Sequence, residues 1–108
     1  FLAVALNIAS QDECGIDAVS IAVNKDDAEM FPDCRQQFFD AKNLCAVAAG
    51  YKTKIITPYI QYTKRMVVAR ARQLGINIAD SWSCYKPTAT GPCGACPACK
   101  QREAACGQ

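Results

Sequence analysis

Four cysteines near one end of the sequence limit what this chain can fold into. Cys84, Cys93, Cys96 and Cys99 follow the spacing C-x8-C-x2-C-x2-C. Thiolates are soft ligands, and four of them converging on one point form a tetrahedral site suited to Zn²⁺. Because the chain contains no histidine, an all-sulfur site is the common type of zinc site that remains. Four thiolates leave no open position for water, so we expect this zinc to be structural.

Two other uses of these cysteines remain open at this point. An iron–sulfur cluster also takes cysteine ligands, although the fourth cysteine here lies upstream and the ferredoxin ending x3-C-P is absent. Disulfides are the second alternative, because eight cysteines in 108 residues is a high and even number. The remaining cysteines stand in segments with helical or core character, which favours free thiols. They are Cys14, Cys34, Cys45 and Cys106.

Length and composition indicate a globular protein of one domain's size. The chain has 108 residues, of which 51% are hydrophobic and 20% charged. We expect no membrane association, because no apolar run approaches the roughly 20 residues that span a bilayer. The apolar start FLAVALNIA lacks the basic flank and cleavage site of a secretory signal. Free cysteines with metal-type spacing favour the reducing cytoplasm.

Charge is distributed unevenly. Residues 1–50 carry three basic and eight acidic side chains, whereas residues 51–108 carry nine basic and two acidic. A basic half can meet phosphates or nucleic acid, but a solvated surface is the commoner reason for such a cluster. Zinc with four thiolates would subtract two charges from the net of +2. We therefore expect no direct binding of nucleic acid.

Hydrophobic periodicity predicts alternating helices and strands, which indicates an α/β fold with a parallel sheet. Two strands alone would expose both edges of the sheet, so we expect further strands from an absent N-terminal part or from a second chain, as in a homodimer. The predicted elements are a helix over 1–14, a strand over 18–23, a helix over 35–49 capped by Asp33, a strand over 54–57, a helix capped by Thr63 and ending at 74, a loop over 78–92, a metal turn over 93–99 and a terminal helix over 99–106.

Three stretches together resemble one known family. They are VNKDDAEMFPDCRQQF at 23–38, TPYIQYTKRMVVARARQLGI at 57–76 and SWSCYKPTATGPCGACPACKQR at 81–102. In this order they resemble the C-terminal half of the 7-cyano-7-deazaguanine synthases. These enzymes make preQ0, the nitrile precursor of the modified tRNA nucleosides queuosine and archaeosine.

The resemblance implies a fold and a reaction. The fold would be a Rossmann-like half-domain of the adenine nucleotide alpha hydrolase type over residues 1–83, followed by a zinc-binding loop and terminal helix over 84–108. The reaction would convert 7-carboxy-7-deazaguanine to an amide and then to a nitrile, with ammonia and ATP. The zinc ligands would be the four cysteines of the metal turn and loop.

The resemblance also suggests four residues that contact substrate or phosphate, although it assigns no catalytic residue. Lys64 would hold phosphate at a helix N-terminus. Arg35 would pair with the substrate carboxylate, and Asp33 belongs to the same FPDCR motif. Asp27 would face a ligand beyond the carboxyl end of the first strand. The alternatives are a solvated lysine, a surface arginine, a helix cap and a turn aspartate.

Two neighbours of these candidate residues have structural interpretations. Cys34 is interpreted as a small buried residue, because the chain has no histidine to activate a thiol. Trp82 and Tyr85 flank the first cysteine of the metal site and are expected to pack its loop onto the core.

One part of the family pattern is missing. The SGGxDS loop that binds pyrophosphate does not occur in this sequence, and the chain begins with Phe1 inside an expected helix. We therefore expect a piece of a longer enzyme that is inactive alone, with ATP and Mg²⁺ binding only if the N-terminal half is present. The alternative is a non-catalytic, zinc-stabilised remnant that dimerises or binds a partner.

Overall fold

The computed structural model describes residues 1–11 and 15–107, and these form two compact units, Phe1–Gln61 and Tyr62–Gln108. The division into units falls at a different place from the predicted domain boundary at 83/84. It does so because the helix before the metal loop packs against the helix after it. The domain boundary itself stays a prediction.

The first unit is an α/β arrangement around one parallel pair of strands, as predicted. A parallel pair requires a long crossover connection, and here that connection runs through helices. Its elements are α1 (Leu2–Ala9), β1 (Ala18–Ser20), α2 (Asp27–Met30), a 3-10 turn (Pro32–Cys34), α3 (Gln36–Ala48) and β2 (Lys54–Ile56).

The strands pair in register from Ala18 opposite Lys54 to Ser20 opposite Ile56. The Lys54 N–H donates to the Asp17 carbonyl at 2.9 Å, and the Ile21 N–H donates to the Ile56 carbonyl at 3.1 Å. The described residues contain this one two-stranded sheet. It fits the α/β class, and the Rossmann-like sheet with further strands stays a prediction.

An apolar core holds the first unit together. Phe39 of α3 is only 2% exposed and lies at its centre, with the Phe38 ring edge-on to it at 5.4 Å between centroids. The other buried members come from α1, α3, β2 and the segment after β1, and are Leu6, Val23, Ala46 and Ile55.

The second unit contains α4 (Lys64–Gln73), a 3-10 turn (Ile78–Asp80) and α5 (Pro97–Cys106). Thr63 caps α4 as predicted, because its Oγ1 accepts a hydrogen bond from the Met66 N–H at 3.3 Å. Gly75 follows the end of this helix and has φ of 74°, a conformation that glycine adopts without the steric cost of a Cβ.

Several predicted boundaries differ from the structure. Asp33 does not cap α3: it lies in the 3-10 turn, and Arg35 occupies the N-cap position without a side-chain hydrogen bond. The predicted strand over 18–23 ends at Ser20 because β2 offers only three residues for pairing. The first helix ends at Ala9, and residues 12–14 of its predicted range lie outside the described residues. Helix α2 lies between the predicted strand over 18–23 and the predicted helix over 35–49, where the sequence predicts no regular element.

The described residues contain no helix that is long and apolar enough to cross a membrane.

Candidate metal centre

A short turn brings the first cysteine of the metal site to the other three. Between Cys84 and Cys93, the Thr88 N–H donates to the Gly91 carbonyl at 2.8 Å and the Gly91 N–H donates back at 3.3 Å. Gly91 has φ of 138°, a value that favours glycine. This tight turn reverses the direction of the chain and brings Cys93 next to Cys84.

The other three cysteines come from the turn into α5. Cys96 is the N-cap residue of this helix, Pro97 occupies its first position, and Cys99 lies in its first turn. Proline suits this position because its fixed φ is helical and its missing N–H would have no partner there. Gly94 has φ of 69° and bends the chain between Cys93 and Cys96.

The four sulfur atoms lie within 4.8 Å of one another. The Sγ atoms of Cys84 and Cys93 are 3.6 Å apart, and those of Cys93 and Cys99 are 3.9 Å apart. A tetrahedral zinc ion with Zn–S bonds of about 2.3 Å places its sulfurs about 3.8 Å apart. The arrangement can therefore hold a single metal ion such as zinc.

The disulfide alternative does not fit this geometry, because a disulfide requires S–S of about 2.0 Å. The seven cysteines of the described residues are all free. The four sulfurs also converge on one point, whereas an iron–sulfur cluster distributes its cysteines over two or more irons. A single ion is the better match.

Backbone N–H groups point at the sulfurs and stabilise negative charge on them. Cys84 Sγ accepts from the N–H groups of Lys86 at 3.4 Å and Cys93 at 3.3 Å. Cys93 Sγ accepts from the Cys96 N–H at 3.4 Å. Cys84, Cys96 and Cys99 are buried, with at most 9% of each residue exposed. The sulfurs thus occupy a shielded site with donors arranged for thiolates.

The pKa values of two of these thiols, Cys96 and Cys99, shift in opposite directions from that of an ordinary thiol. Hydrogen bonds with backbone groups of Tyr85 and Cys99 lower the pKa of Cys96 to about 6. Burial, together with the neighbouring thiols of Cys96 and Cys84, raises the pKa of Cys99 to about 12. Four thiolates this close repel one another, so some keep their protons. A divalent cation supplies the positive charge that allows all four to ionise.

Two aromatic side chains beside the site are more exposed than predicted. Trp82 is 60% exposed and Tyr85 82% exposed, so neither is buried against a core. The Trp82 indole N–H instead donates to the Cys84 carbonyl at 2.8 Å. This bond orients the indole ring along the segment that leads to the first sulfur, with no need for burial.

Three of the other candidate residues come together in the first unit. Asp27 begins α2, and its carboxylate accepts a hydrogen bond from the Asn24 amide at 2.6 Å. The Arg35 Nε–H donates to the carbonyl of Ala28, the next residue after Asp27, at 3.0 Å. Asp33 and Asp27 both raise the pKa of the Cys34 thiol, after the larger effect of its burial, so both carboxylates lie near this thiol.

Lys64, the fourth candidate, belongs to the second unit. It is the first residue of α4 and partly buried, so it stands at a helix N-terminus as predicted. Its role toward phosphate stays a prediction.

Two polar residues at these sites were not identified from the sequence. Asn24 is buried and organises the loop after β1, because its Oδ1 accepts from the N–H groups of Asp26 at 3.0 Å and Asp27 at 3.3 Å. Its position directly after an apolar run was the available signal. Arg102 contacts residues 19 to 24 positions upstream, and no local pattern indicates such a contact.

Comparison with known proteins gives one consistent family. A profile described as queuosine biosynthesis protein QueC matches residues 1–108. The 7-cyano-7-deazaguanine synthase of Microcystis aeruginosa is 36% identical over 111 residues, which cover 97% of this chain and 47% of the relative. The enzymes of the same name from Haloarcula marismortui and Rhizobium etli are 35% and 36% identical, and the chain covers 44% of each. The chain spans about half the length of these curated relatives.

Proposed function

The chain belongs to the family of the queuosine biosynthesis protein QueC, and we propose that it acts in the synthesis of 7-cyano-7-deazaguanine. The observation that carries this proposal is the family match over residues 1–108, together with relatives that all bear the name of this synthase. The substrates would be 7-carboxy-7-deazaguanine, ammonia and ATP.

The proposed chemistry is activation of a carboxylate. A carboxylate oxygen is a poor leaving group, and ATP converts it into a good one that ammonia can displace to give the amide. A second activation removes the amide oxygen and gives the nitrile. In this scheme, residues of the present chain bind and orient the substrate, and ATP provides the driving force.

The loop after β1 is the proposed position for the substrate. Ligands in open α/β sheets bind beyond the carboxyl ends of the strands, and Asp27, Asp33 and Arg35, which follow β1 in the chain, would contact a substrate there. The terminal nitrogens of the Arg35 guanidinium suit a two-point hydrogen bond with a carboxylate, and its Nε bond to Ala28 would restrain it. Lys64 is proposed to bind phosphate at the start of α4.

We propose that the four-cysteine centre holds a structural Zn²⁺. The sulfur spacing and the hydrogen bonds to the thiols support this assignment. Its role would be structural, since a site with four protein ligands has no position for substrate or water. When bound, zinc supplies folding energy to the second unit. The predicted homodimer and cytoplasmic location stay predictions.

A chimera tests the proposed activity. The chain replaces the matching stretch of the Microcystis aeruginosa relative, which supplies the part of the enzyme that this chain does not cover. The purified chimera receives 7-carboxy-7-deazaguanine, MgATP and ammonium, and mass spectrometry follows the acid, the amide and the nitrile. We expect the nitrile to form, and an Arg35→Ala chimera to lose at least tenfold in rate, as expected for a lost charge-assisted pair.

Control variants separate the possible outcomes. Arg65→Ala removes an exposed arginine from the second unit and should leave the rate within twofold of the parent chimera. A chimera that folds and holds zinc but forms neither amide nor nitrile would contradict the proposed activity, and would favour the non-catalytic alternative.

A further inference from the structure

The position of Cys84 needs an explanation beyond the metal loop itself. Cys93, Cys96 and Cys99 lie within a stretch of seven residues that forms the turn into α5, whereas Cys84 belongs to a separate upstream segment. Its segment has no regular secondary structure after the 3-10 turn at Ile78–Asp80. Some interaction must therefore hold this segment beside α5.

A single guanidinium connects the two parts. Arg102 lies on α5, three residues after Cys99. Its Nη1 donates to the Ser81 Oγ at 2.7 Å and to the Ser83 Oγ at 3.5 Å. Its Nη2 donates to the Ile78 carbonyl at 2.6 Å. All three acceptors belong to the segment that leads into Cys84.

These acceptors are also connected to one another. The Ser81 Oγ donates to the Ile78 carbonyl at 2.7 Å, so the hydroxyl accepts from Arg102 and donates to the same oxygen that Nη2 reaches. Arg102 and Ser83 are partly buried, so the bonds to the Ser83 hydroxyl and the Ile78 carbonyl are partly shielded from solvent, whereas the bond to Ser81 is exposed. A planar guanidinium suits several fixed acceptors, because its donors keep a rigid fork geometry.

The ordered segment continues to the metal ligand. Trp82 lies between the two serines that accept from Arg102, and its indole N–H donates to the Cys84 carbonyl at 2.8 Å. The hydrogen bonds therefore run from α5 through residues 78–83 to the backbone of the first ligand. Removing Arg102 breaks the connection between the helix of the last ligand and the segment of the first.

We propose that Arg102 is a positioning residue of the metal centre, which holds Cys84 in place for binding the metal. This inference rests on the proposed zinc site. The expected effect of losing Arg102 is a release of zinc about tenfold faster, in the range that loss of outer-shell partners produces. Cys84 should be the ligand that detaches first.

The test compares Arg102→Gln and Arg102→Lys with Lys100→Gln in the full 108-residue chain. Lys100 is exposed on the same helix, so its substitution removes one positive charge and leaves the hydrogen bonds of the Arg102 guanidinium intact. Each protein is loaded with zinc, and transfer of zinc to a colorimetric chelator gives the release rate. Both Arg102 variants should release zinc faster, since a lysine cannot reproduce the planar fork, while Lys100→Gln should match the parent.

Two spectroscopic measurements identify the ligand concerned. Cobalt(II) replaces zinc, and the intensity of its thiolate charge-transfer band falls in Arg102→Gln toward that of Cys84→Ser. Trp82 is the only tryptophan in the chain, so its fluorescence anisotropy reports the mobility of the segment before Cys84. The anisotropy should fall in Arg102→Gln and stay unchanged in Lys100→Gln.

The outcomes distinguish this inference from the proposed function. Equal release rates for the parent and Arg102→Gln would overturn the positioning role, and so would faster release with an unchanged cobalt spectrum and unchanged Trp82 anisotropy. A zinc release rate in Arg102→Lys equal to that of the parent would show that positive charge alone is needed, and would overturn the positioning role as well. A parent chain that binds no metal would instead contradict the zinc site itself.

Discussion

Cys34 shows how single neighbours set the chemistry of a side chain in this protein. Burial raises the pKa of its thiol, and the carboxylates of Asp33 and Asp27 raise it further because negative charges oppose formation of a thiolate. The thiolate is the reactive form, so a raised pKa makes the thiol less reactive at a given pH. The PDCR motif therefore places an unreactive thiol among charged residues, consistent with a small packing residue.

This environment predicts the alkylation behaviour of Cys34. Reaction with iodoacetamide should follow a pH profile displaced above that of an ordinary thiol with pKa 9.0. Asp33→Asn removes one opposing charge, so it should lower the pKa of the Cys34 thiol and raise its alkylation rate at pH 8. Peptide-resolved mass spectrometry measures the rate, with exposed Cys45 as the internal reference. An Asp33→Asn rate equal to the parent's would contradict this account.

The residues found from the sequence and those missed differ in the range of their interactions. The convergence of the four cysteines was predictable because their spacing is local and typical of a site with four thiolates. Thr63 was predictable because an N-cap bonds to the third residue after it. Arg102 and Asn43 bond to backbone groups 24 and 12 positions away, and such contacts depend on the fold that brings the segments together.

At the scale of the elements, one edge of strand β2 forms its backbone hydrogen bonds with a side chain and not with another strand. Lys54 and Ile56 direct backbone groups toward β1, so the backbone groups of Ile55, between them, face the other edge. There the Asn43 amide of α3 accepts from the Ile55 N–H at 2.8 Å and donates to the Ile55 carbonyl at 3.0 Å. Asn43 thus takes the place of a neighbouring strand, and a further strand would have to add beside β1.

We expect Asn43→Ala to open this edge of the sheet. The substitution leaves the buried N–H and carbonyl of Ile55 without their partner, which costs about 2 kcal/mol. That cost corresponds to a roughly 30-fold faster exchange of the Ile55 amide hydrogen, measured by nuclear magnetic resonance. Ile55 itself is 4% exposed, so water cannot easily replace the lost amide.

A glutamine on the same helix provides the control. Gln37 of α3 is exposed, and Gln37→Ala removes an amide of similar chemistry while leaving β2 untouched. The exchange rate of the Ile55 amide should then match that of the parent. Protection of Ile55 that survives Asn43→Ala would show that another group, and not Asn43, protects this edge.

The whole molecule combines two units that are stabilised in different ways. The first has an apolar core around Phe39. In the second, the buried cluster consists of Cys84, Cys96 and Cys99, with Cys93 and Ala98 packed against it. A unit this small rarely buries enough apolar surface to fold alone, and a structural metal is one common remedy. The stability of the second unit should therefore depend on metal, and that of the first should not.

Removal of the metal should consequently unfold one unit selectively. Cys96→Ser, or a strong chelator acting on the parent chain, should release zinc and expose the amides of Tyr62–Gln108 to hydrogen exchange, while the amides of Phe1–Gln61 keep their protection. The affected region should include α4 as well as the metal loop. This follows because α4 packs against α5, and Arg72 of α4 donates to the Cys106 carbonyl at the end of α5 at 3.1 Å.

Hydrogen-exchange mass spectrometry with peptide resolution distinguishes this expectation from a purely local effect. Cys45→Ser is the matched control, because it replaces an exposed thiol outside the metal site and should retain both zinc and protection. If α4 kept its protection after zinc was lost, the metal would stabilise only its own loop. If both units lost protection together, the apolar core around Phe39 would be insufficient without the metal. The expected pattern, with loss confined to the second unit, would assign to zinc the role that a larger apolar core has in the first.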